Sequence, residues 1–85
     1  MINSLPPDLL RSFVAVAQTK NFSRAAERVH LSQSTVSQQI RRLEDIVGKS
    51  LFERDTRTVT LTRDGEALQN YAARIRTEFF RIFQH

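Results

Sequence analysis

Only four of the 85 residues are glycine or proline, and their positions decide where this chain can break. Pro6 and Pro7 stand together near the start, and Gly48 and Gly65 flank a short stretch in the second half. Elsewhere the elements must be read from hydrophobic period, because the strongest turn residues are missing. Pro6 and Pro7 suit the first turn of a helix, where a missing N–H costs no hydrogen bond. Leu10, Phe13, Val14 and Ala17 follow at i, i+3, i+4 and i+7, the stripe of one helix face. The polar stretch from Gln18, with Asn21 in it, predicts the end of that helix.

Ser23 then reads as the N-cap of a second, short helix through Val29, with Ala25, Ala26 and Val29 inward. Adjacent alanines let another helix cross close by. His30 and Leu31 make a tight connection, and Ser32 caps a third helix. His30 stands where a helix-turn-helix turn often has Gly, and His is among the side chains that tolerate positive φ. Val36, Ile40, Leu43 and Val47 form one narrow buried stripe on the third helix, and Gly48 suits the left-handed residue that ends it. Ser34, Gln38, Arg41 and Asp45 lie on the opposite face.

From residue 51 the period changes. Val59 and Leu61 alternate with Thr58, Thr60 and Thr62, which predicts a strand, and Leu51 and Phe52 supply the other arm of a small hairpin. Thr62 caps a last helix from about 63 to 84, with Asp64 and Glu66 placed to complement its dipole. Leu68, Ala72, Ile75, Phe79 and Ile82 recur along it at spacings of four and three, a heptad seam of about two repeats. The expected fold is mainly α: a winged helix-turn-helix with a three-helix core and a small β-hairpin wing over 1–62, plus a long C-terminal dimerisation helix over 63–85.

Composition narrows the function classes. Cys is absent and His occurs only at 30 and 85, so no thiolate or His-built metal site is expected, and no cofactor. No Gly-rich phosphate loop and no nucleophile–His arrangement argues for an enzyme. Apolar runs fall far short of the roughly 20 residues a membrane span needs, which points to the cytosol. The net charge of +4 comes from eleven Arg and two Lys against nine acids, spread along the chain rather than gathered in a tail. Binding to a polyanion would therefore need a folded surface that collects Arg from separate segments.

Residues 23–42 read as helix, turn, helix, the arrangement whose second helix enters the DNA major groove. The start of that helix carries Gln33, Ser34, Thr35, Ser37 and Gln38, with Arg41 one turn on and no acid before Glu44. Gln pairs with adenine, and Ser and Thr donate or accept. A first turn also offers free N–H groups to phosphate. Arg54 and Arg57, near the hairpin tip, suit phosphate or the minor groove, where Arg meets concentrated negative potential. Arg54 could equally offset the neighbouring Glu53 and Asp55, whereas Arg57 has no adjacent acid.

Several motifs together carry a family resemblance. They are Leu-Arg-Ser-Phe at 10–13, Asn-Phe-Ser-Arg-Ala-Ala-Glu at 21–27, and Leu-Ser-Gln-Ser-Thr-Val-Ser-Gln-Gln-Ile at 31–40 with Leu43 and Glu44. Gly-Lys-Ser-Leu-Phe-Glu-Arg at 48–54 and Leu-Thr-Arg-Asp-Gly at 61–65 complete the set. Over residues 8–76 the chain resembles the N-terminal DNA-binding domain of LysR-type transcriptional regulators. Ser34 stands where many members have Pro, and Gln38 where many have Arg.

The resemblance implies a homodimer joined through the last helix, often assembled to a tetramer, on an interrupted palindromic DNA site in the bacterial cytoplasm, at the nucleoid. It implies major-groove roles for Gln33, Ser34, Thr35, Ser37 and Gln38, phosphate contacts at Ser23, Arg24 and Arg54, and a minor-groove approach by Arg57. A small-molecule effector would act through a C-terminal domain that this chain does not contain. The alternative is a winged-helix module that binds protein through the Phe79, Phe80 and Phe83 cluster without touching DNA.

Overall fold

Four helices account for most of the chain: α1 (Pro7–Thr19), α2 (Phe22–Val29), α3 (Gln33–Val47) and α4 (Arg63–Phe83). A computed structural model describes residues 5–54 and 57–83, with side chains in the last helix described as far as Ile75. Each boundary has a local cause. Pro7 occupies the first turn of α1, and Lys20, in the left-handed conformation at φ 55°, closes it with its N–H on the Val16 carbonyl at 2.8 Å. His30 ends α2 in the same way at φ 60°. Gly48 ends α3 at φ 73°, as the sequence predicts.

The cap of α2 differs from the sequence reading. Asn21, not Ser23, is the N-cap: its Oδ1 accepts the Arg24 N–H at 2.9 Å. Asn and Ser compete closely for this position. Here Phe22 continues directly into the helix, so the helix begins two residues earlier. Ser32 caps α3 as expected, its Oγ accepting the Thr35 N–H at 3.1 Å. Thr62 does the same for α4, accepting the Gly65 N–H at 3.0 Å.

α1 packs on both α2 and α3, those two pack on each other, and α4 rests more lightly on α1. Phe13, Val16, Ala25, Val36 and Leu43 lie at the centre with no more than 0% exposure, so their full apolar area is removed from water. The alanines at 25 and 26 are buried at the α2 crossing, where side chains of that size are needed. Val47, the last member of the α3 stripe, is only half-buried. Ser12 is the one buried hydroxyl of α1, and it donates to Gln39 Oε1 on α3.

Residues 51–53 pair back with residues 60–62, but no strand forms among the described residues. A single antiparallel bridge joins Phe52 to Leu61, with Glu53 N–H on Thr60 O at 2.9 Å and Thr62 N–H on Leu51 O at 3.0 Å. The reason lies in Leu51 and Phe52. Adjacent residues of a strand point to opposite faces, yet both are buried, at 1% and 7%. The chain is drawn into the core there instead of running on as a ladder. The Phe52 ring lies 5.5 Å from that of Phe13 and 6.1 Å from that of Phe22, so the arm is seated on α1 and α2 together.

Gly65 is buried where α4 crosses Leu51. A Cβ there would lie 2.1 Å from the Leu51 carbonyl oxygen, so only glycine fits.

Candidate nucleic-acid interface

α3 separates its two faces cleanly. Val36, Ile40, Leu43 and Glu44 are buried on the inner side. Ser34, Gln38, Arg41 and Asp45 are exposed on the other, as the period of 3.6 requires. Gln33 is also exposed, while Thr35 and Ser37 are half-buried at the edges of the stripe. The N-terminal turn is ordered by side chains. Ser32 Oγ donates to Thr35 Oγ1 at 2.8 Å and lies 3.2 Å from Ser34 Oγ. Ser23 Oγ on α2 donates to Gln33 Oε1 at 2.9 Å. Ser23 therefore does not cap its own helix; it ties the start of α2 to the start of α3. Arg24 is exposed beside it.

The exposed turn thus offers hydroxyls, amides and unpaired helix N–H groups together, with Gln38 and Arg41 following on the same face. Such a surface can donate to and accept from base edges, and its helix end favours an anion. Arg42 is exposed on the same side and did not stand out in the sequence reading. Its position four residues after Gln38 is the signal that finds it.

Arg54 is held by a residue outside its immediate neighbourhood. Its Nη2 donates to Glu44 Oε1 at 2.6 Å, rather than to Glu53 beside it. Glu44 Oε2 accepts the Leu51 N–H at 2.8 Å. The role of Glu44 was not legible in the sequence, where it reads as the first acid past the polar face. Arg57 is exposed on the return arm, and Asp55 and Thr56 lie outside the described residues.

The heptad seam divides. Leu68 packs into the chain's own core at 7% exposure. Ala72 is half-buried, and Ile75 is exposed at 42%; the two line an open apolar groove with Leu10, Val14 and Val29. Phe79 and Ile82, with the rest of the Phe cluster, lie outside the described side chains. Among the described residues there is no group of His, Cys, Asp and Glu that could hold a metal, and no helix is long and apolar enough to cross a membrane.

Residues 7–66 match the model of the bacterial regulatory helix-turn-helix proteins of the lysR family. The HTH-type transcriptional regulator DgdR of Burkholderia cepacia is 56% identical over 72 residues, which cover 85% of this chain and 24% of that protein. The chain spans about a quarter or less of the length of the first curated relatives it matches. Among solved structures, the DNA-binding domain of BenM in complex with its benA site 1 DNA superposes with a TM-score of 0.88 at 31% identity. That match covers 94% of this chain and 90% of the other. The CbnR DNA-binding domain in its DNA complex gives 0.83 at 35% identity, covering 94% and 92%. With a family model matching well over half its length, this chain belongs to the lysR family of bacterial regulatory helix-turn-helix proteins.

Proposed function

We propose that the chain is the DNA-reading part of a LysR-type transcriptional regulator and binds double-stranded DNA with sequence specificity. One observation carries this reading. The exposed face of α3 collects Gln33, Ser34, Gln38 and Arg41 on a helix whose rear face is locked in the core. The close superposition on two related domains bound to DNA supports it.

In this reading α3 lies in the major groove. Gln33, Ser34, Thr35, Ser37 and Gln38 meet base edges, and Ser23, Arg24 and Arg41 meet the backbone. Residues 51–62 act as the wing, with Arg54 on phosphate and Arg57 toward the minor groove. α4 pairs with a second copy through Ala72, Ile75, Phe79 and Ile82, with Leu68 anchoring it to its own domain. The dimer then reads an interrupted palindrome, as a two-fold protein reads a two-fold site. The chain performs no catalysis and works in the cytoplasm, and an effector acts through the remainder of a longer protein, which also sets any tetramer.

Selection from a pool of random-sequence duplexes tests the reading. The expected result is convergence on an interrupted palindrome. Binding with no convergence would overturn sequence specificity. On the selected site, Gln38→Ala is expected to cost about 1 to 3 kcal/mol of discrimination at one base pair of each half-site.

A further inference from the structure

Glu44 is the only charged side chain buried among the described residues, with its side chain 9% exposed. It faces the junction between α3 and the returning chain, not the solvent side of the helix. Three elements converge on it. Its carbonyl accepts the Gly48 N–H at 2.8 Å and the Lys49 N–H at 3.3 Å, which fixes the reversal at the end of α3. Its Oε2 holds the Leu51 N–H at 2.8 Å, which fixes where the wing begins. Its Oε1 holds Arg54 Nη2 at 2.6 Å.

The pair is asymmetric: Glu44 is enclosed, while 65% of the Arg54 side chain remains exposed. A guanidinium has five N–H donors in a rigid planar fork, and the bond to Glu44 uses one nitrogen. The remaining edge is available to a second anion. A carboxylate fixed in the core on one side and solvent on the other is a support for a cation that must meet an anion in a set place. An exposed arginine without such a support would lose side-chain entropy on each contact.

We propose that Glu44 is a positioning residue for DNA recognition: it fixes Arg54 at the α3–wing junction so that the outward edge of the guanidinium meets a backbone phosphate while α3 is in register. The proposal rests on the DNA-binding reading above and adds a specific mechanism to it. Glu44 touches no DNA. It acts through Arg54, and it couples the placement of the wing to that of the recognition helix, since its carboxylate is carried by α3 and holds both the Leu51 N–H and Arg54 of the arm. The pairing also removes part of the positive charge that Arg54 would otherwise present, so its contribution is to register rather than to bulk attraction.

That distinction sets the test. Binding of the 85-residue chain is measured against the selected duplex and a scrambled duplex at one salt concentration, well below the melting temperature of each variant. Glu44→Gln keeps an acceptor for the Leu51 N–H but removes the charge that holds Arg54. It is expected to weaken binding to the selected site about tenfold while binding to the scrambled duplex does not weaken, because the arginine charge is still present and an opposing charge is gone. A variant that only damaged the fold would weaken both duplexes together, and that result would overturn the proposal, as would an unchanged ratio.

Arg54→Lys keeps the charge on an exposed side chain and does not depend on Glu44→Gln folding. An ammonium lacks the fork that spans carboxylate and phosphate, so the selected-to-scrambled ratio is expected to fall about as far as in Glu44→Gln. A wild-type ratio in Arg54→Lys overturns the proposal. If the wild-type chain itself prefers no duplex, the DNA-binding reading fails. If it prefers the selected site and both variants retain that preference, only the role of Glu44 fails.

Discussion

The pair α2–α3 and the arm over 51–62 are neighbours that stay in place by different means. α2 and α3 are fixed from behind by Ala25, Ala26, Val36, Ile40 and Leu43, all buried, and their ends are held by side-chain caps at Asn21 and Ser32. The arm has one bridge, two backbone hydrogen bonds across it, and three anchors: the buried Leu51 side chain, the Phe52 ring on Phe13 and Phe22, and the Glu44 carboxylate. A surface that reads bases must be held within a fraction of an ångström, and dense packing behind a regular helix does this. In the proposed reading the arm meets the DNA backbone, for which a firm root at the end of α3 is what matters. The two constructions therefore fit two kinds of contact.

Truncating either partner of the Phe13–Phe52 contact breaks that comparison with the largest effect. Phe13 is fully buried at the meeting point of the three helices, and Phe13→Ala is expected to cost about 4 kcal/mol, as large-to-small aromatic changes in cores do. In a small domain that is a large share of the total stability, so hydrogen exchange should accelerate in α1, α2 and α3 together. Phe52→Ala should act more locally. The Glu53 and Thr62 amides, which close the bridge, are expected to lose protection while the α1 and α3 amides stay protected. Equal loss across both regions in Phe52→Ala would mean that the arm is part of the same cooperative unit as the helices.

Gly65→Ala tests the root of the arm from the α4 side. The added methyl meets the Leu51 carbonyl oxygen at 2.1 Å and the Leu61 Cδ2 at 2.9 Å, and backbone cannot swing aside as a side-chain tip can. The expected cost is about 3 kcal/mol in denaturant unfolding, at the upper end for overpacking. Gly48 makes the contrast. Nothing lies within 4 Å of a Cβ built there, so its requirement comes from φ 73° alone, and the strain of Gly48→Ala should be smaller.

The helical part was legible in the sequence because its signals are local or periodic. The α3 stripe, the Ser32 and Thr62 caps, the left-handed His30 and the turn at Gly48 each follow from residues within one or two helical turns. The arm was harder to read. Val59 and Leu61 alternate as a strand should, but Leu51 and Phe52 do not, and the core's demand for both side chains outweighs ladder formation. The Glu44–Arg54 pair spans ten residues across a chain reversal, and no spacing rule points to it. Arg57 is exposed, which its sequence neighbours alone did not decide, and Phe79 and Ile82 rest on their heptad spacing.

The smallest expected effect bears on the start of α2, where Asn21 takes the cap that the sequence assigns to Ser23, and Ser23 bonds Gln33 instead. Asn21 satisfies the Arg24 N–H and so removes an unpaired donor from the first turn. Asn21→Ala is expected to cost about 1 kcal/mol in thermal or denaturant unfolding, the usual value for a lost cap. Ser23 donates instead to Gln33 across the helix-turn-helix, on the exposed side. Ser23→Ala should leave stability within about 0.5 kcal/mol, as surface changes away from caps and cores do. It should still weaken binding to the selected duplex, because Gln33 loses the bond that orients its amide and Ser23 loses its own reach to phosphate. If Ser23→Ala instead destabilises the fold as much as Asn21→Ala, the hydroxyl is a second cap, and the contact with Gln33 is incidental to reading DNA.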